Sequence, residues 1–219
     1  MRRKLKEHPV IDVETQIESV SRSVGTRVLD TGWARVVGLR QKFDVSVEEL
    51  WELCTTAEKI SRWFLPVSGN LRIGGRYQLE GNAGGRIEAC KPPERFTATW
   101  EFGGEASWIE PKFGRAADAK SVLELKHIAH VDDDQWAEYG PGAVGIGWDM
   151  SLMGLASHIK SGESVNPESG AEWGASSEGR QFMKLSSDAW RAASVASGTE
   201  PNEADAAADR VIAVYTADS

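Results

Sequence analysis

The sequence predicts an α+β fold: an antiparallel sheet facing one long helix, with additional C-terminal helices. Three observations carry this. From Arg76 to His127, apolar residues alternate with polar ones, in runs broken by turn signals at roughly 8–12 residues, which is the pattern of an antiparallel meander. Val144, Trp148, Leu152, Leu155 and Ile159 then recur at spacings of four, four, three and four, which is one face of an α-helix. Past Ile159 the chain turns to Gly, Ser, Glu and Pro before helical periodicity returns.

Taken in order, residues 1–24 are polar and mixed, and Val10, Val13, Ile17 and Val20 have the spacing of a short helix. Arg27–Asp30 and Trp33–Phe43 read as a hairpin about the Thr31-Gly32 turn. Ser46-Val47-Glu48-Glu49 is a capping box, in which a hydroxyl and a Glu three residues on each satisfy a free backbone N–H. Thr55-Thr56-Ala57-Glu58 repeats it. Two short helices follow, Val47–Cys54 burying Leu50, Trp51 and Cys54, and Ala57–Trp63 burying Ile60, Trp63 and Phe64.

Beyond Pro66 the period becomes two. Tyr77 and Leu79 share a face, the Gly81–Gly84 loop turns the chain, and Ile87 and Ala89 share the next. Lys91-Pro92-Pro93-Glu94 turns it again before Phe96, Ala98, Trp100 and Phe102, the clearest alternating strand. The next strand, through Trp108 and Ile109, has two apolar neighbours and leaves its facing open. Gly114–Lys120 reads as a loop, and Leu123, Leu125 and His127 form the last apolar face. Ser161–Ser177 reads as a linker or ordered loop. Phe182, Leu185 and Ala189, then Ala208, Val211 and Tyr215, mark two helices expected to pack on the body, because isolated helices of that length are marginal in water. The chain thus divides into an N-terminal segment 1–24, a body 25–161 and a helical extension 162–219.

The long helix carries Gly145, Gly147 and Gly154. Each interior Gly costs roughly 0.5–1 kcal/mol relative to Ala, so the helix needs either close backbone approach or space beside it.

Composition narrows the function. A formal net charge of −8 argues against non-specific nucleic-acid binding. Arg2, Arg3, Lys4 and Lys6 are not followed by the apolar region of a signal peptide, and no run approaches the ~20 apolar residues of a membrane span. Cys54 and Cys90 have no metal or redox spacing and read as free thiols in a reducing cytoplasm.

Several stretches together resemble a known family: Ile60-Ser61-Arg62-Trp63-Phe64, Leu71 to Tyr77, Gly84-Gly85-Arg86-Ile87-Glu88 ahead of Pro92-Pro93, Thr99-Trp100-Glu101, Leu123 to His127, and the helix after Gly140-Pro141-Gly142. In order and spacing they resemble the SRPBCC (START-like, helix-grip) superfamily, and within it the branch named for the activator of heat-shock protein 90 ATPase. The resemblance implies an antiparallel sheet wrapped around one long helix, with a cavity between them. It implies no single activity, since relatives bind lipids or polyketides, catalyse, or act as co-chaperones.

The candidate ligand-binding residues are Trp63, Tyr77, Phe96, Trp100, Trp108, Leu125, His127, Trp148, Leu152 and Leu155. Trp63, Trp100 and Trp148 either border a cavity or simply fill the core. His127 shares the parity of Leu123 and Leu125; a structural, hydrogen-bonded His is favoured over a general base, because no Ser, Cys or Asp partner is evident. Were a ligand bound there, His127 would be the polar group orienting it. Nothing in the spacing brings Glu101 and Asp149 together as an acid–base pair. Gly74-Gly75 and Gly84-Gly85 read as turn and bulge glycines, and Asp132-Asp133-Asp134 as a solvated loop. His8, His127, His130 and His158 share no metal-ligand spacing, so neither metal nor cofactor is expected.

Three readings follow. The first is a non-enzymatic cytoplasmic module that holds an apolar or amphipathic small molecule. The second is an enzyme of cyclase, dehydratase or hydrolase kind. The third is a co-chaperone with a protein partner. Monomer and homodimer stay open.

Overall fold

The structure is a computed structural model describing residues 12–116, 118, 120–164 and 167–217. Val10, the basic residues Arg2, Arg3, Lys4 and Lys6, and His8 lie outside the described residues.

Helix α1 (Val13–Glu18) starts at Asp12, whose carboxylate accepts the Thr15 N–H at 2.7 Å. Strand β1 (Val20–Leu29) follows at once and pairs with β2 (Gly32–Phe43) in a hairpin running from Leu29↔Gly32 to Val20↔Gln41. Val20 therefore belongs to the sheet and not to the first helix. The ladder with β2 supplies its backbone partners, which a frayed helix end would lack.

Helices α2 (Val47–Thr55) and α3 (Ala57–Trp63) come next. Ser46 caps α2, its hydroxyl accepting the Glu49 N–H at 3.0 Å. The second capping box does not form: α3 starts after Thr56 with no side-chain cap, and the Thr55 hydroxyl donates instead to the Trp51 carbonyl at 2.7 Å. Val47, Leu50 and Leu53 are the buried residues of α2, while Trp51 and Cys54 are half-buried.

The sheet is completed by β3 (Val67–Gly69), β4 (Arg76–Leu79), β5 (Gly84–Lys91), β6 (Arg95–Phe102), β7 (Glu105–Arg115) and β8 (Ser121–Ala129). Among the described residues it has eight strands in the order β1-β2-β8-β7-β6-β5-β4-β3, every neighbouring pair antiparallel. Strand β7 runs further than its sequence pattern suggests, taking in Gly114, because Phe113↔Leu123 and Arg115↔Ser121 continue its ladder with β8. Asp132-Asp133-Asp134 is not a solvated loop. It opens α4 (Asp133–Tyr139), with the Asp132 carboxylate accepting the Gln135 N–H at 2.8 Å. Carboxylates are favourable at the positive end of a helix dipole.

Helix α5 (Gly142–Ser161) lies across the sheet, and α6 (Pro167–Ala175), α7 (Ser177–Ala196) and α8 (Pro201–Thr216) follow. The stretch expected as a linker thus contains α6. Helix α7 packs against α1, α5, α8 and β1. This second helical layer changes which residues of α5 are buried. Ile146, Leu152 and Leu155 join the main core as a one-sided helix would, but Asp149 and His158 are buried too, and Val144 is 39% exposed.

Two of the three helix glycines, Gly145 and Gly154, mark close contact, while Gly147 has ordinary clearance. A Cβ on Gly145 would overlap the Trp190 indole, and one on Gly154 would lie 2.5 Å from the Trp63 carbonyl oxygen. Asp149 sits at the centre of this second interface. Its carboxylate accepts Arg22 Nε and Nη2, both at 2.9 Å, the Ser186 hydroxyl at 2.6 Å and Trp190 Nε1 at 2.9 Å. Burial raises the Asp149 pKa, with the Arg22 charge acting in the opposite direction. No helix among the described residues is long and apolar enough to cross a membrane.

Candidate functional site

Alternation along a strand sends every second side chain to one face, and here that face meets α5. The register aligns Ala98 with Ile109 and Ile109 with His127, while Pro111 lies opposite Leu125. A cavity of about 150 Å³ lies between this face, α3 and α5. Trp63, Tyr77, Phe96, Trp100, Leu125, Trp148 and Leu152 all line it, so the structure brings seven of the ten candidates together.

The other three lie elsewhere. Trp108 points to the opposite face of the sheet, where its ring meets His130 edge-on at 5.8 Å. The inward residue of that apolar pair is Ile109, which lines the cavity. Leu155 is fully buried in the core next to the cavity but forms none of its wall. His127 stands behind the wall, and its expected role as the group orienting a ligand is not the one its bonds support. The Trp148 indole Nε1 donates to His127 Nδ1 at 2.9 Å. Because an indole nitrogen only donates, Nδ1 must be bare and the proton sits on Nε2. Nε2 then donates to the Ser107 hydroxyl at 2.8 Å, which donates onward to the Trp100 carbonyl at 2.9 Å. Burial pushes the His127 pKa down to about 4, so the imidazole is neutral near pH 7. The relay positions two cavity indoles, Trp100 and Trp148, whose ring centroids are 4.9 Å apart.

Three further polar atoms of the wall are used within the fold. Tyr77 Oη donates to the Thr99 carbonyl at 2.7 Å, Trp63 Nε1 to the Leu53 carbonyl at 2.9 Å, and Ser151 Oγ to the Gly147 carbonyl at 2.9 Å. Burial pushes the Tyr77 hydroxyl pKa up and the Cys54 thiol to about 12. Both therefore stay neutral.

Cys54 and Cys90 both line the cavity. Cys90 escaped the sequence reading for a definite reason. Ile87 and Ala89 alternate in sequence, but the pairing shifts between them, so Ile87 faces Ala98 while Cys90 faces Phe96. One extra residue in a strand reverses the facing of everything after it. Only the pairing reveals this. Glu101 and Asp149 do not meet. Glu101 accepts Arg76 at 2.5 Å and the Thr99 hydroxyl at 3.0 Å, and those bonds hold its carboxyl below the usual range. Among the described residues, no group of three or more His, Cys, Asp and Glu could hold a metal ion.

With this geometry established, the chain can be compared with known proteins. Among solved structures, CalU16 from Micromonospora echinospora is 32% identical; in its crystal form it covers 80% of this chain and 97% of its own, with a TM-score of 0.62. Its solution structure gives 32% identity, 81% and 96% coverage, and a TM-score of 0.65. MLL2253 from Mesorhizobium loti shares the fold at 16% identity, 60% and 100% coverage, and a TM-score of 0.51. Among curated proteins, none matches. The family model for Activator of Hsp90 ATPase homolog 1-like protein matches residues 44–160, the stretch from the start of α2 to the end of α5 that builds the cavity wall. By that match over more than half its length, the chain belongs to the Activator of Hsp90 ATPase homolog 1-like protein family.

Proposed function

We propose that the protein is a non-enzymatic binding module for an apolar or amphipathic small molecule, held between the sheet, α3 and α5. One observation carries this: the wall is built of aromatic and aliphatic side chains, and the Trp63 and Trp148 indoles, the Tyr77 phenol and the Ser151 hydroxyl already bond within the fold. Such a cavity gains by burying apolar surface and offers little to a charged group. Its 150 Å³ suits one aromatic ring or a short acyl chain. An apolar cavity of about that volume stays dry and takes up benzene.

What favours binding over acid–base catalysis is the state of His127. Both its nitrogens are committed, it is neutral at pH 7, and it stands behind Trp148. A general base needs an open nitrogen within reach of a substrate proton.

Tryptophan fluorescence tests the reading, because Trp63, Trp100 and Trp148 all border the cavity. Titration with single-ring aromatics and short fatty acids should give a saturable change in the wild type. The Leu152→Trp variant, which fills the space, should lose it. If no compound perturbs the wild type, or if the filled variant binds equally well, the reading fails.

A further inference from the structure

A second, larger cleft lies outside the cavity described above. It has a volume of about 490 Å³, within the roughly 300–1,000 Å³ range of small-molecule sites. Its walls come from β1, β2, α4, α7 and α8, so most of it is built by elements beyond the matched family segment.

Two of the walls differ in chemistry. On one, Arg35 of β2 lies over the Trp136 ring of α4, its guanidinium carbon 5.0 Å from the ring centroid, with Thr26 as its cross-strand neighbour. On the other, Ala204, Ala207 and Val211 of α8 present small apolar side chains. Arg35 Nη2 also donates to Asp133 at 2.6 Å, but the Asp133 side chain is 93% exposed. An ion pair so open to water is weak, and it uses one of the five guanidinium donors.

We propose that this cleft is a second ligand site, and that it takes a monocarboxylate with a flat apolar body. The carboxylate would meet Arg35, and the body would lie between Trp136 and the α8 alanines. A guanidinium held over an indole and bonded at one nitrogen is already positioned to offer its remaining donors to a carboxylate, so less freedom is lost on binding. Charge decides between a monoanion and a dianion. Arg35 and Arg191 line the cleft, but so do Asp133 and Glu203, and Arg191 already meets Asp205 at 3.0 Å. That balance suits one negative charge and repels two. The volume, about three times that of the first cavity, admits a two-ring body which the first does not.

The probe is 2-naphthoate, with 2-naphthamide as its uncharged counterpart, each titrated by calorimetry against the full chain. Saturable naphthoate binding is expected, with naphthamide at least tenfold weaker. Arg35→Gln should weaken naphthoate at least tenfold, and Thr26→Trp should block the cleft from an exposed strand position. Thermal unfolding of each variant confirms that it is folded. Leu152→Trp, which fills the first cavity, should leave naphthoate binding unchanged, so the two sites succeed or fail separately. The proposal is overturned if naphthoate does not saturate the wild type, if Arg35→Gln and Thr26→Trp both bind it as well as the wild type does, or if Leu152→Trp abolishes it.

Discussion

Trp148 and Asp149 are neighbours on α5 and are anchored to separate sets of partners. The Trp148 indole donates to His127 on the sheet, while the Asp149 carboxylate receives Arg22, Ser186 and Trp190. One helix turn thus ties the cavity wall to the C-terminal layer. Removing either anchor has a different expected consequence.

His127 should make stability depend on pH. Its folded pKa is about 4, against 6.5 for an ordinary imidazole. Between those values the unfolded chain binds the proton and the folded chain does not, so the contribution is complete above pH 6.5 and is lost as pH falls toward 4. The size is on the order of 3 kcal/mol. Urea midpoints measured from pH 7.5 to 4 should fall more steeply for the wild type than for His127→Asn, which cannot titrate. Parallel curves would show that His127 is not the group responsible.

Asp149→Ala should be among the most damaging single changes. Arg22 and Asp149 have side chains only 5% and 1% exposed, so the change leaves a buried guanidinium unpaired. The expected cost is about 3–5 kcal/mol. Arg22→Met combined with Asp149→Leu should recover much of it, since an apolar pair replaces a buried ion pair with little loss. Chemical denaturation of the three variants provides the comparison, and equal loss in the single and double variants would contradict this account.

Two glycines of the same helix should respond oppositely to alanine. Gly145→Ala drives a methyl into the Trp190 ring, and overpacking of this kind costs about 1–3 kcal/mol or more. Gly147→Ala meets nothing closer than the Tyr215 hydroxyl at 3.5 Å and should be neutral or stabilising by up to about 1 kcal/mol. Melting temperatures of the pair, with Gly145→Ala repeated in Trp190→Leu to look for rescue, decide the point.

The two thiols should differ in reactivity. Both residues are half-buried overall, but burial holds the Cys54 thiol up at about 12, whereas the Cys90 thiol on β5 is raised less. The thiolate is the reactive form, so at pH 8 a disulfide reagent should label Cys90 well before Cys54. A ligand in the first cavity should slow both reactions, because both residues line it. Mass spectrometry of the labelled peptides reads this directly, and equal labelling rates would contradict it.

Much of this protein was legible in its sequence. Period-two runs located β4, β6 and β8, and a period near 3.6 located α5, α7 and α8, because burial on one face imposes those repeats on the residue order itself. The capping serine set the start of α2, and seven cavity residues were within reach because neighbouring strands repeat one parity. What the sequence could not decide depends on partners remote along the chain. Trp108 and Ile109 are both apolar, and only pairing with β8 shows which of them faces inward. The bulge in β5 that turns Cys90 toward the cavity exists only as a pairing shift against β6. The glycines of α5 allowed either closeness or space, and for Gly145 it is Trp190, 45 positions beyond it, that settles the matter as closeness. Nothing in the order of residues names the partners of Asp149, which are Arg22, 127 positions before it, and Trp190, 41 positions after it. Local periodicity records which side of an element is buried by its main partner. It cannot record a second partner, a shift of register or a buried charge pair, because those are satisfied across distances that the order of residues does not encode.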